Sequence, residues 1–292
     1  MSRLSIAALA MLAVLAVPSP ADAWSFEVHR FIMARAIPLL PAELRPFFER
    51  FQTAIVEHTI DPDLWRTAGW EEEPARHFLD MDAYGPYPFK DLPHDYAEAV
   101  KRRGEAFVTK NGLLPWRTQE MHTKLVEAFT QTTPYARENI KFFSSVVAHY
   151  VADGHVPFHA AVNYDGQLTG QWGVHSRFES ELFERYKDVL SIAPAPVSPV
   201  AGARAFMFAT LTDSFPHVQA ILEADKAAVQ GRELYDDEYF TRFFGGVKPI
   251  LERRLSDSIT GVASLITAAW IEAGRPALAV DSTRTPRPVR RQ

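Results

Sequence analysis

The chain of 292 residues has no cysteine. That excludes disulfides as a support for the fold and thiolates as metal ligands, so any bound metal must sit on nitrogen and oxygen. Surplus positive charge is missing too. Lys and Arg number 31 against 36 Asp and Glu, a formal net charge of −5. Such a balance excludes the broad basic surface of a sequence-independent nucleic-acid binder. Past the N-terminus no apolar run approaches the ~20 residues that cross a bilayer, and no segment sustains the two-residue alternation of a strand. A Gly-x-Ser-x-Gly elbow and a phosphate-cradling Gly-rich loop are also absent, which removes two common catalytic devices.

What is present is an ordinary globular composition, 47% hydrophobic and 23% charged, with enough apolar residues for a sizeable core. The opening "MSRLSIAALAMLAVLAVPSPADAWSF" places Arg3 before an apolar run from Leu4 to Val17. A Pro-containing neck and Ala21-Asp22-Ala23 follow. This is the pattern of a signal peptide over residues 1–23, and the run is too short for a membrane anchor. Export to the periplasm or the medium is the expectation. Cleavage after Ala23 would leave Trp24 with a free amino group.

Helical periodicity dominates the rest. Helices are expected over "WSFEVHRFIMARAI", halted by Pro38 and Pro41, and over "AELRPFFERFQTAIVEH", "HDYAEAVKRRGEAFV" and "TQEMHTKLVEAFTQ". "TPYARENIKFFSSVVAHYVADG" offers Thr133 as N-cap and Pro134 at the first helical position. "HSRFESELFERYKDVL" and the stretches around Ala203–Val229 and Asp237–Ala273 complete the set. Asp61 to Leu92, rich in Pro, Gly and aromatics, reads as a long surface connection, and "APAPVSP" as a linker-like break. Residues 276–292 read as a disordered basic tail. With no repeat and no boundary, residues 24–275 are expected to form one all-α, multi-helix domain.

One stretch carries chemistry. "AHYVADGHVPFH" holds His149, Asp153, His155 and His159. Residues four apart share a helix face, so His149 and Asp153 project together from an apolar helix. Gly154 and Pro157 end that helix, and His159 can turn back to the same place. His175 and Glu179 repeat the four-residue spacing. A single such pair is most often a surface ion pair worth a few tenths of a kcal/mol. Two pairs with His159 between them are ligands of the kind zinc accepts without thiolate.

These residues resemble the zinc-dependent phospholipase C and single-strand-specific nuclease superfamily. Its motif runs His-x3-Asp-x5-His and then His-x3-Glu or His-x3-Asp, matched by His149, Asp153, His159, His175 and Glu179. The resemblance extends from Trp24 to about Tyr186. It implies an exported all-α enzyme with a trinuclear zinc cleft. It further implies that Trp24 binds zinc through its amino nitrogen and carbonyl oxygen, followed by His29. An aspartate of "TIDPDLWR" and His77 of "RHFLDMD" complete the pattern. Asp63 is preferred, since Arg66 follows three residues later, with Asp61 as the competitor. On this resemblance Asp63, His77, His149 and Asp153 would hold one zinc ion. His159, His175 and Glu179 would hold a second, and Trp24, His29 and the other oxygen of Asp153 a third. His155 matches no ligand position and reads as supporting or packed. His58, His94, His122 and His217 have no partner at metal spacing and read as ordinary surface or satisfied histidines.

Clustered zinc acidifies water and neutralises phosphate charge. The expected activity is therefore phosphodiester hydrolysis by a metal-bridged hydroxide; the resemblance implies that Asp153 bridges two of the ions and that Asp63 is a proton acceptor for the attacking water. "HSRFE", the "HAAVN" that begins at His159 and the negative charge lean to phospholipase C. The five-residue step from Trp24 to His29 and the "HVP" within "DGHVPFH" lean to a single-strand nuclease. Tyr164 and Trp172, in the loop before His175, could line the cleft and stack a nucleobase or face a choline cation; packing on a helix is the alternative. A zinc-binding export protein without turnover uses the same ligands and stays open as a third reading. The expected partner is a phospholipid or single-stranded nucleic-acid substrate, with no stable membrane span and no protein partner evident.

Overall fold

The computed structural model describes residues 25–198 and 200–280. The architecture among them is all-α, built from helices and short helical turns with no strand. Helix α1 (Phe26–Ala36) passes into a 3-10 turn at Ile37–Leu39, the stop that Pro38 and Pro41 predict. The single second helix expected next is two, α2 (Arg45–Arg50) and α3 (Gln52–Glu57). Phe51 parts them at φ −110° and ψ 16°, its ring edge-on to Phe47 at 5.0 Å.

The surface connection expected from Asp61 to Leu92 is corrected most. It opens with α4 (Asp61–Thr67). Asp63, Glu73, His77, Leu79, Met81, Tyr84, Phe89 and Leu92 along it are buried. Short turns such as Pro74–Arg76 and Met81–Ala83 bury side chains at irregular intervals, so no periodic signal announces their burial.

Gly104 splits the next expected helix into α5 (Tyr96–Arg103) and α6 (Glu105–Lys110). Its φ of +84° is a conformation that a side chain would disfavour. Helix α7 (Leu114–Thr130) begins earlier than expected, with Pro115 in its first turn. Helix α8 (Ala136–Gly154) begins later, with Tyr135 rather than Thr133 at its N-cap. Thr133 contributes its backbone carbonyl, which accepts from Ala136 N–H at 3.1 Å. The following helical run is composite: α9 (Val174–Ser176), one π-turn over Arg177–Glu181, and α10 (Leu182–Tyr186). Helices α11 (Ala203–Ser214), α12 (His217–Val229) and α13 (Asp237–Glu272) complete the domain.

Helix α8 is the axis of the core and packs against α7, α13 and α1. Val146, Val147, Val151 and Ala152 are fully buried, each large side chain worth about 1.5–3 kcal/mol. Helix α13, about 54 Å long at 1.5 Å per residue, spans the molecule behind it. The "APAPVSP" break, as far as Ser198, lies as a strap along α13. Ser191, Ala193, Ala195 and Ser198 donate backbone N–H groups to the side chains of Glu252, Ser256, Thr260 and Ser264. Acceptors four apart on a helix rise about 6 Å, close to the advance of two residues of extended chain, which is the spacing of the first three donors.

No helix among the described residues is long and apolar enough to cross a membrane. Trp270 Nε1 donates to the Pro276 carbonyl at 3.0 Å, and Leu278 packs on the core. The expected signal peptide, Trp24 and residues 281–292 of the expected tail lie outside the described residues.

Candidate metal centre

Helices α1, α4 and α8, the composite run of α9 and its π-turn, and two short 3-10 turns bring their side chains together at one buried place. Helix α1 brings His29, and α8 brings His149 and Asp153 from its last turn and a half. Asp63 comes from the first turn of α4, whose Pro62 suits an N-terminal turn. His77 follows the Pro74–Arg76 turn, and His159 sits in the Pro157–Ala160 turn. His175 and Glu179 come from α9 and the π-turn, a helical distortion that recurs at functional sites.

Three groups of side chains have ligand atoms within 4.8 Å of one another: His29, Asp63 and His149; His77, His149 and Asp153; and His159, His175 and Glu179. These buried groups could hold metal ions. Asp153 stands between them. Its Oδ2 lies 3.0 Å from His77 Nδ1 and 3.2 Å from His149 Nε2. Its Oδ1 lies 3.5 Å from His29 Nε2 and 4.0 Å from His159 Nδ1. Asp63 is 4.0 Å from His29 and 3.8 Å from His77, and His175 Nε2 is 3.0 Å from Glu179. Eight of the nine ligand positions expected from the sequence thus meet here; the ninth, Trp24, lies outside the described residues. Ser25, whose carbonyl accepts from His29 N–H at 3.2 Å, puts the chain's approach one helical turn from the cluster.

Asp61 is not in the cluster. It faces outward and pairs with His58 Nδ1 at 2.9 Å.

Hydrogen bonds fix which ring nitrogens face inward. His149 Nδ1 donates to the Thr59 carbonyl at 2.8 Å and His159 Nδ1 to the His77 carbonyl at 2.6 Å. A carbonyl only accepts, so each of these imidazoles carries its proton there and keeps the Nε2 lone pair for the interior. Among the described residues, both nitrogens of His29, both nitrogens of His175 and both oxygens of Asp63 are buried without a hydrogen bond. Buried polar atoms left without hydrogen bonds at this density are costly in a folded protein. They suit a divalent cation with nitrogen and oxygen ligands.

Electrostatics agree with that fit. Burial, reinforced by His149, holds His29 well below the usual imidazole range. Burial likewise lowers His159 to about 3 and His175 to about 4, leaving both in the neutral ligand form. Burial raises the Asp63 carboxyl. At Asp153 burial works against the charge, but His149 and His77 outweigh it and hold the carboxyl well below the carboxylate range. His77 runs the other way. Burial would lower it, yet Asp153 and Glu73 raise it to about 9. Its Nδ1 proton lies between Asp153 Oδ2 and the lone pair of His149 Nε2, 3.1 Å away, where a bound cation would replace it.

Two residues beside the cluster were not read as functional from the sequence. Glu73 is buried 3.6 Å from His77 Nε2; the same four-residue spacing that marks His149 and Asp153 was there in Glu-x3-His. Arg66, used only to choose between two aspartates, brings Nη2 within 3.3 Å of Asp63 Oδ1, and its charge reaches His175.

His155 is packed rather than clustered, with Nδ1 donating to the Val151 carbonyl at 2.8 Å. Gly261 of α13 makes room for it, since a Cβ there would stand 2.9 Å from the His155 ring. His94 stacks on Phe208 at 3.9 Å, and His122 is buried. Tyr164 and Trp172 are exposed, on a loop whose Asp165 accepts from the backbone of Gly173 and His175. No protein-family model matches the chain, and a comparison with curated proteins found no match.

Proposed function

We propose that the protein is an exported, metal-dependent hydrolase of phosphate diesters that holds three zinc ions in this centre. One observation carries the reading: three His–carboxylate groups lie side by side, and the two oxygens of Asp153 face different members of them, Oδ2 toward His77 and His149 and Oδ1 toward His29. A site that only stores metal has no need of a carboxylate set between groups. His77, His149, Asp63 and Asp153 would hold one ion and His159, His175 and Glu179 another. His29, with Asp153 and the amino end of Trp24, would hold the third. When bound, zinc supplies Lewis-acid stabilisation of phosphate charge and acidifies water.

The chain's own residues do the rest. Asp63, with its carboxyl raised by burial, is placed to accept a proton from attacking water. Arg66 offers a guanidinium at the same edge, suited to a phosphate oxygen. The exposed Trp172 and the exposed Trp70, stacked on Trp65 at 5.4 Å, flank the segments that carry His175 and Asp63. The net charge of −5 and the exposed Glu71 and Glu72 beside Trp70 favour a phospholipid over a polyanion. The nuclease reading rests on α1, which brings His29 into the cluster only five residues after Trp24.

The deciding experiment offers the protein beginning at Trp24 phosphatidylcholine micelles and single-stranded DNA in parallel, each with and without a zinc chelator. Chelator-sensitive phosphocholine release supports the first reading and chelator-sensitive DNA cleavage the second. Neither, with zinc bound, would leave a metal-binding protein without phosphodiesterase activity.

A further inference from the structure

Glu73 has no place in the ligand set, yet its carboxylate is wholly buried. A buried charge costs several kcal/mol unless it is paired and hydrogen-bonded. Here the partners are specific. Arg76 Nη1 donates to Oε2 at 2.8 Å, and the hydroxyl of the fully buried Tyr150 donates to Oε1. Arg117 Nε in turn donates to that hydroxyl at 3.2 Å. The Tyr150 ring stands edge-on to both His77, at 5.7 Å, and His149, at 5.4 Å.

The arrangement ends on His77. Its Nδ1 faces Asp153 and His149, while its Nε2 faces Glu73 Oε1 at 3.6 Å. The other two imidazoles with a fixed inward nitrogen, His149 and His159, are anchored by backbone carbonyls on Nδ1 and present Nε2. His77 is reversed: its buried Nε2 makes no hydrogen bond and has the Glu73 carboxylate as its ion-pair partner.

We propose that Glu73 is a positioning residue that keeps the His77 proton on Nε2 and turns Nδ1 toward the metal group, with Tyr150 and Arg76 holding the carboxylate in place. The inference rests on the reading of the cluster as a metal centre. A carboxylate behind a ligating imidazole fixes its tautomer and strengthens it as a ligand, and its loss typically weakens metal binding roughly 10–100-fold.

The test is zinc affinity by competition with a chromophoric chelator, on the parent and on Glu73→Gln, with helical content checked by circular dichroism. The expected result is one site weakened roughly 10–100-fold in the variant and the others unchanged. In parallel, long-range ¹⁵N–¹H correlation spectra of the zinc-loaded parent should show the His77 proton on Nε2 and the metal on Nδ1; this readout needs no variant to fold. A parent ligated through His77 Nε2, or a folded variant within about threefold of the parent at every site, overturns the role of Glu73 and leaves the metal centre standing. A parent that binds no zinc overturns both.

Discussion

Replacing Asp153 by Asn tests the centre at its narrowest point. The side chain keeps its shape, loses its charge and must place an NH2 where an oxygen stood. In the Oδ2 position that NH2 would donate to the His149 Nε2 lone pair, 3.2 Å away, and occupy a metal-facing acceptor. In the Oδ1 position it would face His29 Nε2 at 3.5 Å and remove the only Asp153 oxygen near that ring. Either choice removes the charge shared by the ion proposed at His77 and His149 and the ion proposed at His29. A charged partner is worth about 1.5–3 kcal/mol, so each of the two groups should weaken by about 100-fold, or about 2.8 kcal/mol. The third group, His159, His175 and Glu179, contains no Asp153 atom and should keep its ion. Zinc content under a competing chelator should therefore fall from three ions to one, and phosphodiester turnover should vanish. Three ions held at parental affinity, or turnover at the parental rate, would refute the bridging role.

Zinc should leave in two phases as pH falls. In the metal-free protein His77 is raised to about 9 and His159 and His175 lowered to about 3 and 4, so protons compete at the His77 group below about pH 9 and at the His159 group only near pH 4; a single step near pH 6, read by zinc release into a dye, would contradict this. Asp80 is buried and raised to about 7, by burial first and then by Asp82. A raised acid stabilises the fold below its unfolded value of 3.8, and that contribution is lost as pH climbs from about 4 to 7. Asp80→Asn should thus match the parent near pH 4 and exceed it by roughly 2–4 kcal/mol at pH 8; denaturant melts with chelator present check this, and a gap independent of pH would sink it. Finally, any residue placed before Trp24 blocks the amino group, and should remove one zinc ion of three by elemental analysis; unchanged content would rule out the terminal ligand.

Much of this was legible because its signal is local. A period of 3.6 residues, four-residue ligand spacings and the absence of strand alternation fall within windows of a few turns. They were enough for an all-α domain, for the pairing of His149 with Asp153 and of His175 with Glu179, and for the exclusion of thiolate ligands. Where the helices divide was less legible. Gly104 turns on a positive φ and Phe51 on an aromatic contact, and neither leaves a periodic trace. The burial of Asp63, Glu73, His77 and the apolar residues between Leu79 and Leu92 was invisible for the same reason.

Only the tertiary structure decided between Asp61 and Asp63, residues of one type two positions apart, because the choice depends on which side of α4 faces α1 and α8. It alone turned the His77 ring the opposite way from His149 and His159, and seated Tyr150 against His77 and His149. The sequence determined which side chains were available to bind a metal. Which nitrogen and which oxygen face inward is set by packing partners some 70 to 90 residues away, and no local pattern encodes contacts at that separation.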